Sequence, residues 1–252
     1  MKTLFETDNH KNVIFNDLST GTMIQSNQHL IVNSGEGMLL DPGGHKIYSQ
    51  LLPQVASIIP INSLRYLFFS HQDPDILAAA NGWLMTTDAN AFLSTLWMRF
   101  IPHFGVDELV VSRIKAIPDE GMTISLGGEP LMVIPAHFLH SAGNFQVYDP
   151  TSKILYSGDL GASLGNLYDT VDDFDTHIEY MEEFHKRYMP STKALKMWVS
   201  IAKTMDIEII APQHGAILPD KEMVNRFIDW IDTITCGVDL MDDFFLIPGN
   251  DQ

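Results

Sequence analysis

The segment Ser70-His71-Gln72-Asp73-Pro74-Asp75-Ile76 places three potential metal ligands at alternate positions, directly after the apolar run at 66–69. One imidazole and two carboxylates form a harder, more oxygen-rich donor set than two or three imidazoles would. Protein zinc sites rely more on nitrogen and sulfur donors. The segment therefore predicts a metal site at the end of a strand and favours iron or manganese over zinc.

Three more apolar runs are each followed by a histidine or an aspartate. His140 follows the run at 131–134, Asp159 follows 154–156 and His214 follows 209–211. Sites in layered α/β folds gather at strand ends, because the loops there are held by a rigid scaffold yet are open to ligands. Together with the first segment, these residues supply three imidazoles and three carboxylates, enough for two metal ions with one carboxylate between them.

Short apolar runs bounded by turn residues alternate with longer segments of helical periodicity. The predicted strands cover residues 12–15, 29–33, 37–40, 65–69, 122–126, 131–135, 144–148, 153–156 and 207–211. The predicted helices cover residues 45–59, 76–85, 172–188, 192–205 and 220–234. Two pairs of runs predict hairpins, one across 34–37 and the other across 149–152. We therefore expect partly antiparallel sheets with helices covering both outer faces of a sheet pair.

In order and type, the ligand-bearing segments resemble those of the metallo-β-lactamase-fold domain. They are His71-Gln72-Asp73-Pro74-Asp75, Leu139-His140-Ser141, Ser157-Gly158-Asp159 and Pro212-Gln213-His214-Gly215. The resemblance covers nearly the whole chain and implies an αββα sandwich, with residues 1–252 as one domain. Zinc hydrolases of this superfamily usually carry His-x-His-x-Asp-His, whereas its diiron branch has a carboxylate in place of the second histidine. Because Asp73 stands at that position, the chain resembles the oxygen-binding diiron proteins, which are flavin-free relatives of the flavodiiron proteins.

The resemblance also implies a set of iron ligands. It assigns one iron to His71, Asp73 and His140, a second iron to Asp75 and His214, and the position between them to Asp159. His137 is the alternative to His140, although the local order of residues 138–141 favours His140. Many relatives have a histidine where this chain has Ile76, so we expect an open coordination position at the second iron.

Flavodiiron enzymes also carry a flavodoxin domain, and this chain ends at Gln252 without the length for one. We therefore expect no flavin, and we expect dioxygen binding rather than turnover. The oxygen-binding relatives are linked to oxygen sensing in bacterial taxis, so the predicted function is that of an oxygen sensor. Two other functions stay open: an oxygen or nitric oxide reductase that uses a separate electron-transfer protein, and a zinc-dependent hydrolase.

The charge and cysteine content limit the partners and the compartment. Thirty-two acidic residues against fifteen basic ones give a formal charge of -17, which disfavours binding to nucleic acid and to anionic membranes. The chain shows no signal-peptide pattern, and a single cysteine, Cys236, cannot form an internal disulfide. These features predict a cytoplasmic protein. The resemblance implies a homodimer, and the apolar segment 242–248 could pack either on its own domain, which we favour, or on a second subunit.

Overall fold

The computed structural model describes residues 1–241, which form two β-sheets packed face to face with helices on both outer sides. The strands are β1 Lys2–Glu6, β2 His10–Phe15, β3 Gln28–Asn33, β4 Glu36–Leu40, β5 Leu64–Phe68, β6 Asn90–Ser94, β7 Ile114–Ile117, β8 Met122–Leu126, β9 Glu129–Pro135, β10 Phe145–Asp149, β11 Ile154–Gly158 and β12 Ile209–Pro212. The α-helices are α1 His45–Ile58, α2 Pro74–Leu77, α3 Ala80–Thr86, α4 Phe174–Tyr188, α5 Thr192–Ala202 and α6 Lys221–Thr233. Short 3₁₀ helices span Ile61–Ser63, Thr95–Phe104, Val111–Arg113 and Val238–Leu240.

The first sheet contains β1 to β7 in chain order, and the second has the order β12-β11-β10-β9-β8. Strands β1 to β4 pair antiparallel, and β4 to β7 pair parallel. In the second sheet only β11 and β12 pair parallel. Both predicted hairpins are confirmed, since Leu30 lies opposite Leu39 and Tyr148 lies opposite Leu155.

The apolar pattern of the central strands explains the four layers. Successive side chains of a strand point to opposite faces, so a strand buried on both sides is apolar throughout. In β4, Met38 and Leu40 pack between the two sheets, whereas Leu39 packs with Leu51 and Trp83 of the first helical layer. A third cluster joins the second sheet to α4, α5 and α6. Fully burying one such side chain contributes roughly 1.5–3 kcal/mol, and the three clusters confirm the predicted αββα sandwich.

All nine predicted strands are present, but the pattern missed β1, β6 and β7. Strand β1 lies at the sheet edge with mostly exposed side chains, and β7 has two exposed residues in succession, so neither alternates. The single helix predicted over 76–85 is wrong, because α2 and α3 are separate helices. Both helices bury apolar residues in the same core, so the apolar periodicity continues across the break.

Within residues 1–241, no helix combines the length and apolarity needed to cross a membrane. The packing predicted for segment 242–248 lies outside the described residues.

Candidate metal centre

The six predicted ligands meet at one end of the sandwich, in the loops that follow four strands. His71 lies three residues after β5, Asp159 directly follows β11, and His214 lies two residues after β12. His140 lies in the loop between β9 and β10. Because β11 and β12 are parallel neighbours, their carboxyl ends share one edge, and this arrangement brings Asp159 and His214 together.

Three of these residues form the first half of the site. The ligand atoms of His71, Asp73 and His140 all lie within 4.8 Å of one another. Asp73 Oδ2 is 3.6 Å from His71 Nε2 and 3.4 Å from His140 Nε2. The two imidazole rings meet edge to face with centroids 4.8 Å apart. This geometry brings two nitrogen atoms and one carboxylate oxygen close enough together to hold one metal ion.

The second half of the site consists of Asp75 and His214. Asp75 Oδ2 lies 3.4 Å from His214 Nε2. The Nδ1–H of His214 donates to the carbonyl oxygen of Gln25 at 2.7 Å. This bond fixes the tautomer, since it leaves the Nε2 lone pair free to bind a metal.

Asp159 lies between the two halves and directs one oxygen at each. Its Oδ2 is 3.0 Å from His140 Nε2 and 3.7 Å from His71 Nε2, while its Oδ1 is 3.8 Å from His214 Nε2. The side chain is almost fully buried. A carboxylate placed in this way could bind two metal ions at once.

The donor atoms do not satisfy one another by hydrogen bonds, and two cations would satisfy them. His71 Nε2 and Asp159 Oδ1 are buried, and neither has a hydrogen-bond partner among the described residues. Leaving buried polar atoms unpaired is costly, so native proteins rarely do so without an ion or a water to satisfy them. Neutral imidazoles and carboxylates also suit both ferrous and ferric iron. The residues present therefore fit a diiron centre.

The pKa values of the cluster also favour a bound cation. Burial lowers the pKa of His140, but Asp159 and Asp73 outweigh that effect and raise it to about 10. Burial raises the pKa of Asp159, but the attraction of the surrounding histidines outweighs burial and lowers the pKa to about 2. Asp73 and Asp159 therefore attract positive charge into the cluster, and a metal cation can supply that charge in place of protons.

Several neighbouring residues that the sequence did not single out hold these ligands in place. The Ser70 hydroxyl lies 3.0 Å from His71 Nδ1, and the Ser70 backbone N–H donates to the buried Asp41 carboxylate at 2.7 Å. Burial raises the pKa of Asp41 to about 6. Gln72 and Gln213 each donate an amide N–H to a predicted ligand, Asp73 and Asp75 respectively. The two glutamines lie next to ligands in the sequence, so their position alone could have indicated this role. The role of Asp41 could be recognised only from the tertiary structure, because Asp41 is far from the ligands in the sequence.

A cavity of about 630 Å³ opens onto the ligands. Its wall includes Asp73, Asp75 and His140, apolar and aromatic side chains from α1, α4 and neighbouring loops, and the polar side chains of His45 and Lys46. Tyr188 lies edge to face with His140, at 6.0 Å between ring centroids. The cluster is thus reachable from solvent through a partly apolar opening large enough for a diatomic molecule.

Two residues lie away from this cavity. His137 directs its Nε2–H to the carbonyl oxygen of Asp119 at 2.8 Å and packs edge to face on Phe145, so the structure brings His140, and not His137, to the cluster. Ile76 is fully buried in the apolar core, and the cavity wall next to Asp75 is formed by Ala78 instead.

Comparison with known proteins shows the family of this chain. Residues 24–215 match the family model described as "ODP family beta lactamase". The solved structure of the apo state of chemotaxis sensor ODP from T. denticola is 40% identical, with a TM-score of 0.88, and the match covers 97% of this chain and 98% of that one. This chain belongs to the ODP family. The assignment confirms the resemblance predicted from the ligand segments.

More distant matches agree with the fold of an ODP-family protein. A second structure, described as the peroxy diiron species of chemotaxis sensor ODP, shares the same 40% identity and TM-score of 0.88 and is covered over its full length. The rubredoxin oxygen:oxidoreductase of Desulfovibrio gigas is 17% identical over 92% of this chain and 61% of that one, with a TM-score of 0.77, which shows the fold alone. The flavo-diiron protein FprA2 of Clostridium acetobutylicum is 23% identical over 75% of this chain and 48% of its own length. This chain therefore spans about half the length of that curated relative.

Proposed function

We propose that this ODP-family protein binds dioxygen at a pair of iron ions and serves as an oxygen sensor. The observation that carries the proposal is the convergence of six donor residues around Asp159, with one of its oxygens directed at each half of the site. We infer that the first iron is held by His71, Asp73 and His140, the second by Asp75 and His214, and both by Asp159. When bound, the two ferrous ions supply open coordination positions and two electrons to a diatomic ligand.

The chain's own residues prepare the site for this role. The Gln25 carbonyl keeps His214 in the tautomer that can bind a metal. Burial of His71 and Asp159 excludes bulk water from the centre of the cluster. On the solvent side, the half-buried Phe184 stacks on Tyr188 with centroids 4.7 Å apart, and both line the opening above His140. A small apolar gas can pass such an opening.

Two observations favour oxygen binding over hydrolysis. Asp73 stands where the zinc hydrolases usually have a histidine, and it makes the first position harder than a zinc site of three imidazoles. The two solved structures that are 40% identical are those of a chemotaxis sensor, one of them described as a diiron species. Residues 1–252 as one diiron domain, a signalling or electron-transfer partner, a homodimer and a cytoplasmic location stay predictions from the sequence.

Anaerobic loading with ferrous iron tests the proposal directly. The protein is desalted, its iron is counted, and the visible spectrum is followed as air is admitted without reductant. We expect two irons per chain and a visible absorption band that persists for hours and disappears when the gas is removed.

Two results would replace the proposal. A transient band that leaves oxidised iron, with turnover once a flavoprotein or rubredoxin-like donor is added, would identify an oxygen or nitric oxide reductase. Failure to hold iron, with tight zinc binding and hydrolysis of a model ester, would identify a hydrolase. The variant Asp159→Ala serves as the control, since it removes the carboxylate common to both positions and should show neither the band nor two irons.

A further inference from the structure

The two metal positions differ in the number of donors that they own. The first has three, from His71, Asp73 and His140, in addition to one oxygen of Asp159. The second has two, from Asp75 and His214, in addition to the other oxygen of Asp159. Each position carries one carboxylate of its own, so the difference is one imidazole. The position with more fixed donors binds the same cation more tightly.

Asp73 and Asp75, each of which serves a single metal position, are the most exposed of the six ligands. Each of them accepts a hydrogen bond from a glutamine. The side chain of Asp73 is 35% exposed and that of Asp75 is 44% exposed, against 5% for Asp159. An exposed aspartate can rotate away from a metal, and fixing it costs conformational entropy. A hydrogen bond from a rigid neighbour removes that freedom before the metal arrives.

Gln72 joins the two ligand loops of the first position. Its Nε2–H donates to Asp73 Oδ1 at 3.0 Å, which leaves Oδ2 directed at the two imidazoles. Its Oε1 accepts a hydrogen bond from the hydroxyl of Ser141, the residue after His140, at 2.5 Å. The amide thus ties the orientation of Asp73 to the loop that carries His140.

Gln213 holds the carboxylate of the second position, but through the oxygen that faces His214 rather than the opposite one. It directly precedes His214, and its Nε2–H donates to Asp75 Oδ2 at 3.1 Å. The residue is 1% exposed, and its backbone N–H donates to the carbonyl oxygen of Gly158 at 2.8 Å. A buried amide on a fixed backbone therefore holds the most exposed of the six ligands.

We propose that the two positions fill in order, the three-donor position first, and that Gln72 and Gln213 are positioning residues that each set the metal affinity of one position. This inference rests on the proposed diiron function. Because dioxygen binding needs both irons, the fraction of protein able to bind dioxygen follows the occupancy of the Asp75–His214 position. The protein thus responds to the supply of ferrous iron as well as to dioxygen.

The test adds one and then two equivalents of ⁵⁷Fe(II) to the metal-free chain without oxygen and records Mössbauer spectra at each step. We expect a single ferrous doublet after the first equivalent and a distinct second doublet after the next. Chelator competition on the same samples gives the affinity of each position. An outer-shell hydrogen bond to a ligand contributes about 10–100-fold in metal affinity. In Gln213→Met we therefore expect such a loss for the second doublet only, and in Gln72→Met for the first.

Gln54→Met on α1 is the matched control, because it makes the same change in side chain at a distance from the site and should keep both affinities. Two doublets in equal amounts after the first equivalent would overturn ordered filling. Equal losses at both positions in either variant would show a general structural role and overturn the assignment of the two glutamines. If the wild-type chain never holds two irons, the proposed function is refuted. If the two positions fill in order but the loaded protein gives no band with air, ordered filling stands and only oxygen binding is refuted.

Discussion

The replacement of His140 by alanine, compared with the same change at His137, tests the ligand set most sharply. The two histidines are three residues apart in one loop, yet only His140 directs its Nε2 at Asp159 and Asp73, at 3.0 and 3.4 Å. His137 contacts the Asp119 carbonyl and the Phe145 ring instead. Their contacts therefore separate the two histidines, both of which the sequence offered for this ligand position.

The expected magnitudes follow from these contacts. His140→Ala reduces the first position from three donors of its own to two, and losing a direct ligand should exceed the 10–100-fold effect of an outer-shell partner. We expect iron affinity at that position to fall by at least about 100-fold, or about 2.8 kcal/mol at 1.4 kcal/mol per factor of ten. His137→Ala should instead lower the free energy of unfolding by about 1–2 kcal/mol, through one lost hydrogen bond and the packing on Phe145.

The assay is iron counting after anaerobic loading and chelator competition, together with urea unfolding of the metal-free proteins. Unfolding of each metal-free variant shows whether a loss of iron reflects a loss of fold. If His137→Ala lost an iron while His140→Ala kept two, the assignment of the ligand and the role given to this loop would both be wrong.

Three further changes have distinct expected outcomes. The buried ion pair of His10 with Asp149, 2.6 Å long, joins the two sheets; burial opposes ionisation of both groups, but their mutual attraction raises the pKa of His10 and lowers that of Asp149. The pair therefore stabilises fully between roughly pH 4 and 6.5, and less as Asp149 gains a proton below that window or His10 loses one above it. Asp149→Asn should cost about 3–5 kcal/mol and flatten the loss of stability above pH 6.5 in a series of denaturant titrations. Ile76→His buries an imidazole in the apolar core, so urea unfolding should show a loss of about 2–4 kcal/mol with two irons still bound, and a changed oxygen affinity would contradict the core position. In Gly215→Ala, the new Cβ would collide with a neighbouring backbone carbonyl at a φ of +80° and displace His214, so iron counting should find the second iron lost and the first retained.

The sequence by itself determined the layers and the donor chemistry. Runs such as 38–40 are apolar at every position because both faces of their strands are buried, and this pattern predicted a sheet pair covered by helices. The order of His71, Asp73, Asp75, His140, Asp159 and His214 after such runs predicted which side chains gather, because strand ends meet at the edge of a sheet. Local pattern was weaker for β1 and β7, whose side chains do not alternate between buried and exposed.

The family resemblance implied how the donors divide between two positions, but only the tertiary structure shows the distances and directions of the donor atoms. Spacing along the chain cannot say that the two oxygens of Asp159 are directed at different histidines, since β11, β12 and the loop with His140 are brought together by sheet pairing across more than fifty residues. The same holds for the bond from Gln213 to Asp75, which spans 138 residues. Ile76 was read at the site from its place in the motif, but the turn of α2 directs it into the core. Composition and periodicity report which faces are buried, whereas the meeting of distant side chains depends on the register and order of the strands.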